Sequence, residues 1–260
     1  MFSRFTRAIV RPPARNFADG LTTADLGTPD VDRALTQHRA YCDALVRHGV
    51  QLVMLDADPR YPDATFVEDT ALIRPDRGAI ITRPGAASRA GEVDAVADAL
   101  RVHFSDLARV TEPGTLDAGD VCEAGDHVFI GISQRTNSDG AAQLAAWLAP
   151  FGITSSTVDI RDVPGILHLK SGIAALEPQR LVLIDALVDH PAFAGYDVVR
   201  VPPGEEYGAN CVRVNDAVFV SAGQPQLEAQ LRACGYALEV LEMGEYRKMD
   251  GGLSCLSLRF

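Results

Sequence analysis

The chain repeats itself, and the repeat narrows the folds open to it more than any other feature. From Thr65 the order is strand, tight turn, strand, helix, strand. TFVEDTALIR is followed by a turn at Pro75-Asp76-Arg77-Gly78, and GAIITRP is the second strand. Ser88 then fits an N-cap before SRAGEVDAVADALRVHF, where Val93, Val96, Ala97 and Leu100 have helical spacing. LARVTE returns as a strand.

The same order recurs three more times. GDVCEAGDHVFIGIS reads as a hairpin turning near Ala124-Gly125-Asp126, then comes helix NSDGAAQLAAWLAPFG and strand TSSTVDI. LHLKSGIAALEPQRLVLID turns at Glu177-Pro178 and leads into a short, proline-broken helix, ALVDHPAFAG, and strand DVVRVP. ANCVRVNDAVFVSAG turns at Asn215-Asp216 before helix QPQLEAQLRACGY and strand ALEVLEM.

The N-terminus supplies strand RFTRAIV, a helix from about Val31 to His48 stopped by Gly49, and strand QLVMLD. In that helix Val31, Leu35, His38, Cys42 and Leu45 follow a 4-3-4-3 spacing. This unit lacks its first strand. The C-terminal stretch Leu253 to Phe260 is the strand left over, and pairing it with the N-terminal strand closes a ring. The expected class is α/β, with five pseudosymmetric ββαβ units of roughly fifty residues each. They form a single domain over residues 1–260, with no linker visible.

A formal charge of -11 argues against nucleic acid or an anionic membrane as partner and is compatible with a cationic small molecule. No apolar run is long enough to span a bilayer. MFSRFTRAIVRPPARNF has neither the apolar stretch nor the cleavage pattern of a secretory signal. Five scattered cysteines without a C-x-x-C pair suggest neither a disulfide framework nor a zinc ribbon. Reduced thiols in a cytoplasm are expected.

Each unit carries polar residues at or just before its first strand. They are Asp63, Glu68 and Asp69; Asp117 and Asp120; His168; Asn210 and Cys211; and Cys255. In a ring of units these positions lie at one end and meet around one axis. Taken alone, Cys255 reads as either a small core residue or a nucleophile. Among the six histidines, His168 is the one at a ring position; His38, His48, His103, His127 and His190 read as structural or solvated. A thiol, an imidazole and several carboxylates suit nucleophilic attack with proton transfer. They also suit a planar cation, because a guanidinium matches carboxylates bidentately. No G-x-G-x-x-G after a strand and no phosphate-binding loop is present, so no nucleotide is implied.

Eight pieces in order carry a resemblance to a known family. They are Phe66-Val67-Glu68-Asp69, Thr82-Arg83-Pro84-Gly85, Ser88-Arg89, Leu116-Asp117-Ala118-Gly119-Asp120, Arg135-Thr136-Asn137, Leu167-His168-Leu169-Lys170, Ala209-Asn210-Cys211 and Asp250-Gly251-Gly252-Leu253-Ser254-Cys255. The chain resembles the dimethylarginine dimethylaminohydrolases, guanidino-group-modifying enzymes with the five-bladed α/β propeller called the pentein fold. The resemblance implies that Cys255 attacks the guanidinium carbon. His168 would protonate the leaving amine and then activate water, and Asp117 would hold His168. It further implies that Glu68 and Asp69 bind the guanidinium and that Asp63 with the carbonyl of Leu21 receives the α-amino group. Arg89 and Arg135 would clamp the α-carboxylate, and the carbonyl of Met249 would touch the guanidino end. Asp19-Gly20-Leu21-Thr22 matches a mobile lid. The implied reaction converts methylated arginine to citrulline without cofactor or metal, and a homodimer is compatible with the family. Two readings stand beside it: an arginine or agmatine deiminase, and a non-catalytic pentein such as a ribosome-associated initiation factor.

Overall fold

The structure is a computed structural model that describes residues 4–75 and 77–260. Asp76, within the expected turn at 75–78, lies outside the described residues. Fifteen described strands form five three-stranded sheets. In every sheet the unit's first strand runs antiparallel to its second, and the second parallel to its third. A parallel pair needs a crossover, which explains the helix between second and third strands. The helices are Val31–Arg47, Glu92–Arg101, Ser138–Leu148, Asp185–Val188 and Pro225–Ala233. The C-terminal strand Leu258–Arg259 completes the N-terminal sheet as expected, with Ala8 opposite Arg259 and Ile9 opposite Leu258.

The first strands line the axis. Ile173–Glu177 packs against both Val121–Ala124 and Val212–Val214, and Leu258–Arg259 packs against Ala71–Arg74. Successive strand residues point to opposite faces, and here each face belongs to a different core. Ile73, Ala79 and Ile81 pack with Val96 of their own unit's helix and with Ile9 and Leu258 of the N-terminal unit. Their neighbours Leu72 and Ile80 pack with Val121, Ile130 and Leu144 of the following unit. Each sheet is therefore apolar on both faces, and the ring is held by cores shared between adjacent units.

Two boundaries differ from expectation. Ser88 does not cap the second helix; it sits in a 3₁₀ turn, Ala87–Arg89, and the helix starts at Glu92 after Gly91. The other difference repeats around the ring. Each first strand begins later than its apolar pattern suggests, after a 3₁₀ turn: Val67–Thr70, Ala118–Asp120, Leu169–Ser171, Glu206–Ala209 and Ser254–Leu256. Four successive pairs of these turns, from Ser254–Leu256 through to Glu206–Ala209, are in contact. No described helix is long and apolar enough to cross a membrane.

Closure by so short a strand gives a direct test. Leu258 and Phe260 are 5% and 6% exposed, and burying such side chains contributes about 1.5–3 kcal/mol each. Deleting residues 258–260 also unpairs one edge of the N-terminal sheet. Unfolding followed by circular dichroism should show a loss of at least about 3 kcal/mol. An unchanged unfolding midpoint would contradict closure.

Candidate active site

The expected residues converge on one small cavity. Leu21, Asp63, Phe66, Asp69, Arg89, Arg135, Leu167, His168, Met249, Asp250, Gly251 and Cys255 line it. They come from four of the five units; the unit that begins at Ala209 lines none of it, but its Asn210 packs against Gly252 beside the cysteine turn. The cavity holds about 20 Å³, room for little more than one water.

Cys255 sits in the Ser254–Leu256 turn and is half-buried. The preceding glycines act by close approach. A Cβ on Gly251 would lie 2.2 Å from the Phe66 ring, and one on Gly252 would lie 2.3 Å from Asn210 Oδ1. The left-handed residue there is not a glycine but Asp250, with φ 55°. The Gly252 N–H points at Cys255 Sγ, 3.4 Å away. Burial pushes the Cys255 thiol up to about 12, and the carboxylates Glu68 and Asp69 add to this. At neutral pH in the empty site the sulfur therefore carries its proton.

His168 precedes the Leu169–Ser171 turn, and its Nε2 lies 3.1 Å from Asp117 Oδ2. Asp117 is fully buried and accepts from the Gly85 N–H at 2.8 Å. Burial alone would lower the His168 pKa, but Asp69, Asp120 and Asp117 outweigh it and raise it to about 9. His168 is thus an imidazolium at neutral pH. The polar tips of Asp69, Asp117 and His168 lie within 4.8 Å of one another, an arrangement that the imidazolium charge itself stabilises. Gly119 makes this possible, since a Cβ there would lie 2.6 Å from Asp69 Oδ1 and 2.9 Å from His168 Nδ1.

Asp69 also accepts from Arg89 Nη1 at 2.6 Å and from the Gly119 N–H at 2.9 Å. Burial would raise its pKa, but His168 and Arg89 bring it down to about 2. Arg89 is only 4% exposed, and its remaining donors go to Glu92 and the Phe66 carbonyl. Arg135 differs. Its Nη1 is buried without a hydrogen bond, and its nearest carboxylate, Asp117, is 3.6 Å away.

Glu68 is in a different place from its companions: it does not line the cavity. It lies behind the cysteine turn, accepting from Ser254 Oγ at 2.7 Å and pairing with Lys170 at 2.7 Å and Arg259 at 3.1 Å. Leu21 lies over the cavity, and its N–H is shared between both oxygens of Asp63 at 3.1 Å. Thr22 Oγ1 donates to the Lys248 carbonyl at 2.9 Å, and Thr23 Oγ1 to Asp250 at 2.9 Å. The segment over the mouth is therefore latched at both sides.

Sequence reasoning placed Asp120 and Asn210 on the ring without giving them work. Asp120 accepts from the Leu169 N–H at 2.9 Å and from Ser133 Oγ at 2.6 Å, which fixes the backbone beside His168. Asn210 holds the cysteine turn. The signal was their recurrence at one unit's spacing.

Five ββαβ units whose polar turns face one opening, with thiol, imidazolium and carboxylates gathered there, are the architecture of the guanidino-group-modifying enzymes of the pentein class. The scan against protein-family models found no match. The chain is 43% identical over 257 residues to the N(G),N(G)-dimethylarginine dimethylaminohydrolase of Pseudomonas aeruginosa, covering 98% of this chain and 100% of that protein. It is 35% identical over 256 residues to the enzyme of the same name from Streptomyces coelicolor, covering 97% and 96%. A solved structure of the Pseudomonas aeruginosa enzyme, a cysteine-to-serine variant complexed with citrulline, matches with a TM-score of 0.95 and 42% identity over 99% of this chain and 100% of that one. The chain belongs to the dimethylarginine dimethylaminohydrolase family.

Proposed function

We propose that this protein hydrolyses Nω-methylated L-arginine to L-citrulline and a methylamine through a covalent intermediate on Cys255. The observation that carries the reading is the buried Nη1 of Arg135, which makes no hydrogen bond, in the same cavity as Cys255, His168 and Asp63. An α-amino acid presents a carboxylate for Arg135 and an ammonium for Asp63. Its side chain then brings a planar cation toward Asp69 and Cys255. Arg89 adds its charge from behind Asp69. Burial raises the Asp63 pKa, and an incoming ammonium favours its ionised form.

The latched cavity is too small for an amino acid, so entry requires release of the Leu21–Asp63 and Thr23–Asp250 contacts, and closure restores them. Binding of the cation also changes the thiol. Glu68 and Asp69 oppose ionisation of Cys255 in the empty site, and a guanidinium set against Asp69 offsets that field. The thiol then releases its proton to solvent. The sulfur electron pair adds to the guanidinium carbon and gives a tetrahedral adduct. The C–N bond to the methylated nitrogen breaks as His168 donates its proton, and the amine leaves. A thiouronium remains on Cys255. Neutral His168 takes a proton from water, the oxygen adds to the same carbon, and collapse of that adduct breaks the C–S bond and forms the urea C=O of citrulline, the hydroxyl proton returning to the sulfur. Asp117 holds the ring through both steps, as the carboxylate does in a hydrolase triad.

The test offers dimethylarginine, monomethylarginine, arginine and agmatine, with citrulline assay and mass spectrometry of the intact protein. Citrulline and the matching methylamine are expected from the two methylated amino acids. Arg135→Ala should raise KM for them by about 10- to 100-fold, the value of a hydrogen bond to a charged group. Agmatine lacks the carboxylate. Turnover of agmatine at the rate of dimethylarginine, equally in wild type and Arg135→Ala, would replace this reading with the deiminase one. Saturable binding without product or adduct would leave only a binding protein.

A further inference from the structure

One contact repeats around the ring and ends at the nucleophile. Asp69 Oδ1 accepts from the Gly119 N–H of the next unit's turn at 2.9 Å. Asp120 Oδ1 accepts from the Leu169 N–H of the turn after that, also at 2.9 Å. Asn210 Oδ1 accepts from the Ser254 N–H of the cysteine turn, again at 2.9 Å. The sequence separations are 50, 49 and 44 residues, one unit each. A side-chain oxygen of one unit thus orients the first turn of the next.

The third latch uses an amide where the others use carboxylates, and its surroundings explain why. Asn210 Nδ2 donates to the Lys170 carbonyl at 2.8 Å and to Ser254 Oγ at 3.0 Å. Ser254 Oγ in turn donates a hydrogen bond to Glu68 Oε2 at 2.7 Å. A carboxylate at 210 could accept from Ser254 but could not donate, and it would set a further negative charge beside Glu68. Asn210 is 8% exposed, and Gly252 lies flush against its side-chain oxygen. Both flanks of Cys255 are thereby tied down, Ser254 by Asn210 and Gly252 by contact with it.

We propose that Asn210 is a positioning residue for the nucleophile, which sets the direction of Cys255 Sγ by clamping Ser254 between two units. It touches none of the cavity's substrate-facing groups. Its loss is therefore read in kcat and leaves KM in place. This inference rests on Cys255 being the nucleophile, and the experiment separates the two.

Asn210→Ala and Asn210→Asp are assayed with dimethylarginine alongside wild type, with the folded fraction taken from circular dichroism. For the folded protein, kcat of Asn210→Ala should fall about 100-fold, the cost of a misplacement near 1 Å. KM should stay within about threefold. Asn210→Asp keeps the acceptor and loses the donors, so its kcat should fall between Asn210→Ala and wild type. If Asn210→Ala does not fold, Asn210→Asp decides alone. A folded variant with kcat within threefold of wild type, or a loss confined to KM, overturns the proposal. Iodoacetamide treatment is run on every protein. If alkylation of Cys255 leaves turnover intact, the nucleophile assignment fails. If alkylation abolishes turnover while the Asn210 variants match wild type, only the latch fails.

Discussion

Cys255→Ser is expected to cut dimethylarginine turnover by about 10⁴-fold or more, the scale seen when a nucleophile is removed from a preorganised site. The size of the loss follows from the charges around the sulfur. The Cys255 thiol is already pushed up to about 12 by burial, Glu68 and Asp69. A serine hydroxyl starts far less acidic than a thiol and meets the same field. His168, protonated up to about pH 9, cannot take the hydroxyl proton. The bound cation alone then has to make an alkoxide, which is beyond its reach. Substrate binding should survive, because Asp63, Asp69 and Arg135 are untouched. The measurements are steady-state citrulline release, calorimetric binding of dimethylarginine and intact mass. Retained binding with no adduct and no product is the expected result. Turnover within tenfold of wild type would remove Cys255 from the mechanism.

The ring itself was legible because its signal is redundant. Four hairpins, five crossovers and a strand left over at the C-terminus leave few other ways to close, and the C-terminal strand pairs with the N-terminal one, Ala8 opposite Arg259, as the repeat required. The turns that carry the site were not legible as turns. Val67, Leu169 and Leu256 are buried apolar residues, so a scan for period-two alternation runs the strand through them. In fact the chain is 3₁₀ there, which compresses the backbone, and Glu68, Lys170 and Ser254 of three such turns meet one another.

The same compression explains Glu68. Sequence reasoning gave neighbouring Glu68 and Asp69 one shared task. One step along a tight turn aims them differently, Asp69 into the cavity and Glu68 under the cysteine toward Lys170 and Arg259. Arg89 was read as a ligand clamp from its position in the motif. Its partner Glu92, buried and raised to about 7 by that burial despite Arg89, lies one helical turn on and carried no sequence signal of its own. Charge pairing inside a site depends on distances that spacing along the chain does not report.

His168→Gln is the second large effect, and it separates the two halves of the reaction. Glutamine keeps a polar group near Asp117 but cannot deliver or accept a proton at neutral pH. General acid–base catalysis contributes about 10²–10⁴-fold, and citrulline formation from dimethylarginine should fall by at least that range. The loss has two causes that a second substrate tells apart. Dimethylamine is a poor leaving group without a proton, so the first step stalls before the thiouronium forms. An S-alkyl thiocitrulline expels a thiolate, which needs no proton from His168. With that analogue Cys255 should still form its adduct, and the adduct should then persist, because no base activates water. Intact-mass spectra of His168→Gln should therefore show the covalent species with the analogue and free enzyme with dimethylarginine. Rapid loss of the adduct in this variant would mean that another group activates water. Asp69 shares the cavity and is the carboxylate such a result would point to; the variant removes the lowering that His168 gives it, and the Arg89 ion pair and the Gly119 N–H remain. With both oxygens held by Arg89 and Gly119, Asp69 is poorly placed to take a proton from water in place of the imidazole, so persistence of the adduct is the expected result.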